Sequence, residues 1–371
     1  MRLAFVYDRV NKFGGAERVL LALHEIWPNA PLFTAVYDKQ KAAWANVFKV
    51  IPSYLRYLPD LLRRDKLLPL LTPFAFESMN FGNFDVVLSI TSAEAKAVVT
   101  KPETLHICYC LTPTRYLWSG FADYLHQPGA DFFNPMVRAF MRICINYLRV
   151  SDYISSNRPD IYIAISDNVA RRIKKYYKKD ARVLYPPIDL TKFKPGVRKK
   201  SNNYYLIVSR LVPYKRIDYA ISAFNKLGSN LYIIGTGIDE SRLRRLASEN
   251  IKFLGDLTDR ELACYYQNCR ALIFPGEEDF GLTAVEAQAC GKPVIAFGNI
   301  GIKEIIIEGK TGLFYDTQSE DSLISALKIF KYNNYLPSEC VYNAKRFSKL
   351  NFQRAMKESV EYYWQQHKSN I

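Results

Sequence analysis

The chain has 371 residues, 49% of them hydrophobic and 14% aromatic, which exceeds what one core organises and suffices for two. Its net charge of +15 is spread evenly, with 25 basic and 16 acidic residues up to Val183 and 26 and 20 after it. Such a field favours phosphate-rich ligands or anionic membrane surfaces, and no helix-turn-helix, finger or aromatic-strand motif makes nucleic acid a partner. Seven cysteines, an odd number without a C-x-x-C pair, and four histidines without zinc spacing exclude a disulfide framework and a structural metal; the thiols are read as buried.

From the start of the chain, Leu3–Tyr7 is a short apolar run ended by Asp8, followed by a Gly14-Gly15 turn and a helix. That helix carries Ala16, Val19, Leu20, Leu23, Ile26 and Trp27 on one face. The N-terminus lacks the charged start, apolar middle and cleavage site of a signal peptide. No stretch approaches the roughly eighteen uncharged apolar residues of a spanning helix, so a cytoplasmic protein is expected. Ile51–Met79 is proline-punctuated and leucine-rich, studded with Arg56, Arg63, Arg64 and Lys66, and fits poorly as a plain βα unit. Further strands are predicted at Leu32–Val36, Asp85–Ser89, Leu105–Cys110 and Ile161–Ile165, and their near-continuous apolar character indicates a parallel sheet covered on both faces. The run Arg171-Arg172-Ile173-Lys174-Lys175-Tyr176-Tyr177-Lys178-Lys179 adds six cations without an acid. It reads equally as a solvated helix face or, with the Ile51–Met79 segment, as a membrane-facing surface.

Pro186-Pro187 and the polar Lys199–Asn203 run mark a connection. Beyond it, strands are predicted at Tyr204–Ser209, Leu231–Ile234, Ile251–Leu254, Ala271–Phe274 and Pro293–Phe297, with helices at Arg216–Lys226, Glu240–Ser248 and Gly281–Cys290. The expected organisation is therefore one Rossmann-like domain over residues 1–185, a second over 186–350, and a C-terminal helix in 351–371 that packs back on the first domain.

Two segments of the second half carry candidate chemistry. Arg210 and Lys215 stand just past a predicted buried strand, at the mouth of the ligand crevice of an open α/β sheet. Arginine forks two phosphate oxygens and lysine supplies a mobile point charge, although a solvated helix start explains them equally well. In Phe274–Glu286 a strand ends, a glycine-bearing turn follows and a helix opens near Gly281. The free N–H groups there, around Phe280, Gly281 and Leu282, suit a phosphate or sugar oxygen. Glu278 on the turn can accept from sugar hydroxyls, and Glu286, two turns on, can grip ribose hydroxyls. Complementing the helix dipole would explain Glu278 alone, not both acids around the turn. Gly14 and Gly15 would let backbone approach a phosphate from the first domain, whereas Gly235-Thr236-Gly237 reads as a structural turn.

Together these residues resemble the retaining glycosyltransferase family 4, over essentially the whole chain. The matching features are the glutamate-x7-glutamate signature of Glu278 and Glu286, the Arg210 and Lys215 pair, and Gly14-Gly15-Ala16-Glu17-Arg18. The resemblance implies a GT-B fold, two doubly wound Rossmann-like α/β domains facing across a cleft. It also implies front-face transfer of a hexose, with Arg210 and Lys215 on the leaving diphosphate, Glu278 orienting the sugar and Glu286 anchoring the nucleotide. Tyr109-Cys110-Leu111-Thr112-Pro113-Thr114-Arg115-Tyr116-Leu117-Trp118 and Tyr185-Pro186-Pro187-Ile188-Asp189 resemble the subgroup of WbaZ-type O-antigen mannosyltransferases. That likeness implies GDP-mannose as donor, a lipid-linked glycan acceptor in lipopolysaccharide or exopolysaccharide assembly, and peripheral contact with the inner face of the plasma membrane. No cofactor is expected, and the absence of a D-x-D motif agrees with a metal-independent reaction.

One departure from the subgroup is plain: Leu111 stands where the subgroup has a histidine beside the donor sugar, and Ser119 where it has an aspartate. His106 is the nearest histidine, and a strand-start role fits it better than a relocated catalytic one. Leu111 leaves open a catalytically impaired donor-binding scaffold or partner subunit. A nucleotide-sugar epimerase of the same fold is a third class, opposed by the paired glutamates and cations in one register.

Overall fold

The computed structural model describes residues 1–57, 68–121, 134–196 and 203–370. The chain divides into two compact units, Met1–Pro187 with Phe352–Ile371, and Ile188–Asn351.

The first unit holds a seven-stranded sheet: β1 (Leu3–Val10), β2 (Leu32–Tyr37), β3 (Val50–Pro52), β4 (Val86–Thr91), β5 (Leu105–Cys110), β6 (Ile161–Ala164) and β7 (Arg182–Val183). Their order is β3-β2-β1-β4-β5-β6-β7, with every neighbouring pair parallel. All six residues of β4 and of β5 are buried, as a sheet with helices on both faces requires. Its described helices are α1 (Gly15–His24), α2 (Leu68–Glu77), α3 (Asn134–Ser155) and α4 (Asp167–Tyr177). One core layer is built from Val6, Phe33, Phe76, Phe81 and Val87.

Strand β1 runs three residues beyond the Tyr7 end that the apolar run suggests, because Asp8 is no terminator. Its buried carboxylate accepts from the Thr91 hydroxyl at 2.7 Å and from the backbone N–H groups of Ser92 and Ala95 at 2.8 Å. A satisfied carboxylate is tolerated inside a sheet, and hydropathy alone does not reveal such partners.

The second unit repeats the plan with β8 (Tyr204–Val208), β9 (Asn230–Ile234), β10 (Ile251–Gly255), β11 (Leu272–Phe274), β12 (Val294–Phe297) and β13 (Gly312–Tyr315). Their order, β10-β9-β8-β11-β12-β13, is the 3-2-1-4-5-6 arrangement of a dinucleotide-binding fold. Helices α5 (Ile217–Leu227), α6 (Glu240–Leu246), α7 (Asp259–Asn268), α8 (Leu282–Ala289), α9 (Glu320–Ile329) and α10 (Pro337–Ala344) surround it. Ile207, Phe224, Ile233, Ile273, Ile295 and Leu323 share its core. Helix α7 opens on a capping box in which Thr258 and Glu261 satisfy each other's backbone N–H groups.

The last helix, α11 (Lys349–Ser369), belongs to the first unit from Phe352 onward. Phe352 meets Tyr109 edge-on at 5.8 Å, and the Gln353 amide donates to the Ala22 carbonyl at 3.0 Å and to Glu25 at 2.9 Å. No helix among the described residues is long and apolar enough to cross a membrane.

Candidate functional site

In an open α/β sheet, ligands bind beyond the carboxyl ends of the strands where the strand order reverses. In the second unit that point lies between β8 and β11. The segments that leave these two strands carry Arg210, Lys215, Glu278 and Gly281, so the topology brings all four to the carboxyl end of the sheet beside this point.

The segment after β8 is shaped by close backbone approach. A Cβ on Gly235 would lie 2.0 Å from the Ser209 carbonyl oxygen, and one on Gly237 would lie 2.1 Å from that of Leu211. Side chains at either position would push the Arg210 segment outward. The Leu211 N–H donates to the Thr236 carbonyl at 2.9 Å, which ties the two loops together. The Gly235-Thr236-Gly237 turn is thus a shoulder for the cation-bearing loop.

Pro213–Lys215 then forms a single 3-10 turn, and Arg216 closes it with a φ of 52°. The turn sinks Lys215, whose ammonium pairs with the Glu278 carboxylate. Gly276 makes that approach feasible, since a Cβ there would lie 2.8 Å from the Lys215 carbonyl oxygen. Arg210 stays exposed and donates to the Tyr214 hydroxyl at 2.7 Å. The site therefore holds one cation locked against an acid and a second at its rim.

Gly281 caps α8 with a φ of 109°, a left-handed conformation that favours glycine. Phe280 is buried, edge-on to Phe347 at 5.4 Å, and anchors the turn, while Leu282 opens the helix. Thr283, on the first turn of α8, has a buried hydroxyl without a hydrogen-bond partner. A hydroxyl so placed suits a ligand oxygen at the helix N-terminus, and sequence reading passed over it. Glu286 lies one turn into α8, 4% exposed, and accepts from the Tyr266 hydroxyl at 2.9 Å. It ties α8 to α7 as well as standing near the site, a structural duty that spacing alone does not disclose.

In the first unit, Gly14 and Gly15 follow β1 at the start of α1, half-buried. Gly14 has extended backbone, so glycine is not required there by conformation. Behind the turn, the Glu17 carboxylate is 1% exposed and accepts from the Tyr7 hydroxyl at 2.5 Å. Burial pushes the Glu17 carboxyl up, against the opposing pull of Tyr7 and of the backbone N–H groups of Glu17 and Gly14. The start of α1 thus already faces an internal acid, a feature the glycine pair alone does not reveal.

Leu111 follows β5, half-buried, its N–H donating to the Thr91 carbonyl at 2.8 Å. His106 is no replacement for a histidine at that place. It is fully buried near the amino end of β5, paired with the Ser89 hydroxyl at 2.9 Å. Burial, helped by the Arg158 charge, lowers its pKa to about 3, so the ring is neutral at physiological pH.

Arg63, Arg64 and Lys66 lie outside the described residues. In the basic run on α4, Ile173 and Tyr177 are buried and Tyr176 stacks on Trp118 at 5.0 Å, so its apolar side chains pack inward. Lys174 pairs with Asp180 at 2.7 Å just past the run. A different surface emerges on α3, where Met136, Ile143, Tyr147, Val150 and Ile154 are all exposed at spacings of one helical stripe.

Residues 189–347 match the family profile described as Glycosyl transferases group 1. Among curated proteins, the chain is 30% identical over 208 residues to an uncharacterized glycosyltransferase of Methanocaldococcus jannaschii, covering 53% of this chain and 56% of that one. It is 31% identical over 177 residues to the D-inositol 3-phosphate glycosyltransferase of Mycobacterium leprae, covering 41% of each. The chain thus spans about half the length of the curated relatives it matches. Among solved structures, the sucrose-phosphate synthase of Thermosynechococcus elongatus aligns with 98% of this chain and 99% of its own at a TM-score of 0.76 and 17% identity. The Anabaena protein HepE, solved with UDP-glucose, aligns with 97% of this chain and 100% of its own at a TM-score of 0.70 and 16% identity. At such identities the likeness establishes the fold, two Rossmann-like domains of the kind found in GT-B glycosyltransferases. With the profile match over residues 189–347, the second unit of this chain is similar to the group 1 glycosyl transferases.

Proposed function

We propose that the chain is a retaining hexosyltransferase that takes its sugar from a nucleoside diphosphate donor and passes it to a lipid-linked oligosaccharide or polysaccharide precursor. The observation that carries the reading is the convergence of Lys215, Glu278 and the Gly281 end of α8 at the switch point of the second unit. In the proposed reaction the acceptor hydroxyl attacks the face from which the diphosphate departs. Lys215 and Arg210 stabilise the charge growing on the departing phosphate, which speeds the reaction because that charge is greatest in the transition state. The α8 N-terminus and the Thr283 hydroxyl receive donor oxygens, Glu278 orients the sugar ring, and Glu286 anchors the nucleotide. The cations take the part a metal ion plays in other transferases, so no metal or cofactor enters the proposed reaction.

GDP-mannose is the donor favoured by the subgroup likeness of Tyr109–Trp118, and UDP-glucose, held by HepE, is its natural competitor in a test. Incubation with a panel of nucleotide sugars, with and without lipid-linked acceptor and with a strong chelator in a parallel arm, checks the reading. A longer glycan is expected only with acceptor, from one donor, and in the chelator. Binding without turnover would mark a scaffold, and donor conversion without acceptor an epimerase. Rescue of a chelated enzyme by manganese or magnesium would overturn the metal-independent reaction.

The two glutamates are expected to separate kinetically. Glu278→Ala should lower kcat by about 10- to 100-fold with every acceptor, as loss of an orienting group does. Glu286→Ala should instead raise the nucleotide dissociation constant about tenfold, or roughly 1.4 kcal/mol, and lower the melting temperature because the Tyr266 hydroxyl loses its acceptor. Titration calorimetry and steady-state kinetics check this; equal loss of nucleotide affinity in both variants would remove the division of labour.

Peripheral contact with an anionic membrane on the cytoplasmic side belongs to the same proposal. Its best support is the exposed stripe of α3 together with the exposed cations Arg171, Lys174 and Lys175 of α4 in the same unit. Basic residues near an anionic leaflet contribute on the order of 1 kcal/mol each, and an apolar helix face adds insertion. Sedimentation with phosphatidylserine vesicles should show binding that weakens with salt and falls when Ile143 and Val150 are changed to aspartate. Indifference to anionic vesicles at low salt would make the acceptor come to an enzyme that does not dock.

A further inference from the structure

We propose that Asp152 is a positioning residue that holds the Leu111–Trp118 loop in place at the carboxyl edge of the first unit's sheet, an inference resting on the transferase reading for its catalytic consequence. Asp152 lies on the inward side of α3, 6% exposed. Its Oδ1 accepts from the Thr114 hydroxyl at 2.6 Å and from the Lys96 ammonium at 2.6 Å. Its Oδ2 accepts from the Trp118 indole N–H at 2.8 Å and from the Tyr177 hydroxyl at 2.8 Å. The Tyr177 hydroxyl in turn accepts the Thr114 backbone N–H at 3.2 Å. One carboxylate thereby gathers the β5 loop at two points, the turn Ala95–Ala97 that carries Lys96, and α4.

Lys96 is equally enclosed, 2% exposed, and donates as well to the Ala93 carbonyl and to the Thr114 hydroxyl. Burial works against its charge, but the Asp152 charge and hydrogen bond outweigh this and hold the ammonium above the usual lysine range. A second clamp lies beside the first: the Tyr116 hydroxyl donates to Glu94, which pairs with Arg9 at 3.4 Å. Arg115 is thus flanked by two anchored neighbours, Thr114 and Tyr116.

Burying an ion pair costs desolvation, and an apolar replacement of similar volume is often no less stable, so stability alone is a weak reason for this cluster. What four charge-assisted donors do provide is a single geometry, with every lone-pair direction of the carboxylate assigned. The geometry is imposed on the loop that leaves β5 where an open α/β sheet places its ligands. The Tyr109–Trp118 motif is explained in the same terms, since Thr114, Tyr116 and Trp118 are its anchor points rather than its reactive groups.

The test uses the full chain with Asp152→Asn, Thr114→Val and Trp118→Phe, the last two each removing one donor without altering charge. Amide exchange is followed at Thr114, Leu117 and Trp118, with Ile107 and Ile163 in the sheet as controls. Asp152→Asn is expected to speed exchange at the three loop amides by about tenfold or more while the controls hold. Its kcat should fall by about tenfold or more with the donor KM changed less than about twofold, as for a misplaced site wall. Thr114→Val should move both readings in the same direction by less, and it carries the test if Asp152→Asn does not fold. Unchanged loop protection in the folded variants overturns the proposal. So does a lowered melting temperature with kcat intact, which would make the cluster structural only. Absence of transfer by the unaltered protein would instead sink the transferase reading, while the exchange arm still decides whether Asp152 holds the loop.

Discussion

Lys215→Ala is expected to lower transfer by about 100-fold or more, the loss associated with removing one preorganised donor to a transition-state charge. Lys215 is nearly buried and held by Glu278, so its ammonium is already aimed before donor enters and pays little reorganisation. The alanine variant also leaves Glu278 without its cation, which places an unopposed negative charge where the diphosphate must depart. Arg210→Ala should cost less in ground-state order, because its guanidinium lies at the rim against the Tyr214 hydroxyl, yet act on the same step. Single-turnover kinetics with saturating donor check the expectation, with nucleotide binding measured separately. Near-normal turnover in both variants would remove these cations from the leaving group.

Acid should destabilise the first unit through His106. Its folded pKa of about 3 lies below the ordinary value of 6.5, chiefly because burial disfavours the imidazolium and secondly because Arg158 is near. The sign follows directly: below pH 6.5 the unfolded chain binds a proton that the folded chain refuses. Stability present above pH 6.5 is therefore lost as pH falls toward 3, by roughly 4–5 kcal/mol over the whole window and about 2–3 kcal/mol by pH 4.5. Urea denaturation at pH 7.5 and 4.5 measures it. His106→Gln should be weaker at pH 7.5, having disturbed the Ser89 contact, but should lose markedly less on acidification. An identical acid loss in the variant and the unaltered protein would show that other groups set the pH dependence.

The long parallel strands were legible in the chain itself because burial on both faces writes a continuous apolar run. Leu105–Cys110 is the clearest case, predicted and observed with the same limits. Short strands at sheet positions of three residues or fewer, Val50–Pro52 and Arg182–Val183, left no such run and emerged only from pairing with their neighbours. Helices α7, α9 and α10 were passed over for a related reason: their apolar faces are narrow and become meaningful only against the sheet they cover.

The sequence by itself located the candidate site residues of the second unit. Arg210, Lys215, Glu278, Gly281 and Glu286 follow apolar runs at spacings that place them beyond strand ends, and local periodicity suffices to say so. Which strand ends are neighbours was decided only by tertiary structure, since β8 and β11 are separated by two strands in the chain and adjacent in the sheet. The pairing of Lys215 with Glu278 depends on that adjacency, the glycine shoulder beneath Arg210 on the pairing of β8 with β9, and the burial of Glu286 on the packing of α8 against α7. The same holds for Asp152, an unremarked acid in a helix until Lys96, Thr114, Trp118 and Tyr177 converge on it from distant parts of the chain. Sequence periodicity records which face of an element is buried, and a polar residue there looks like an interruption. Only the fold supplies the partners that make it favourable to bury.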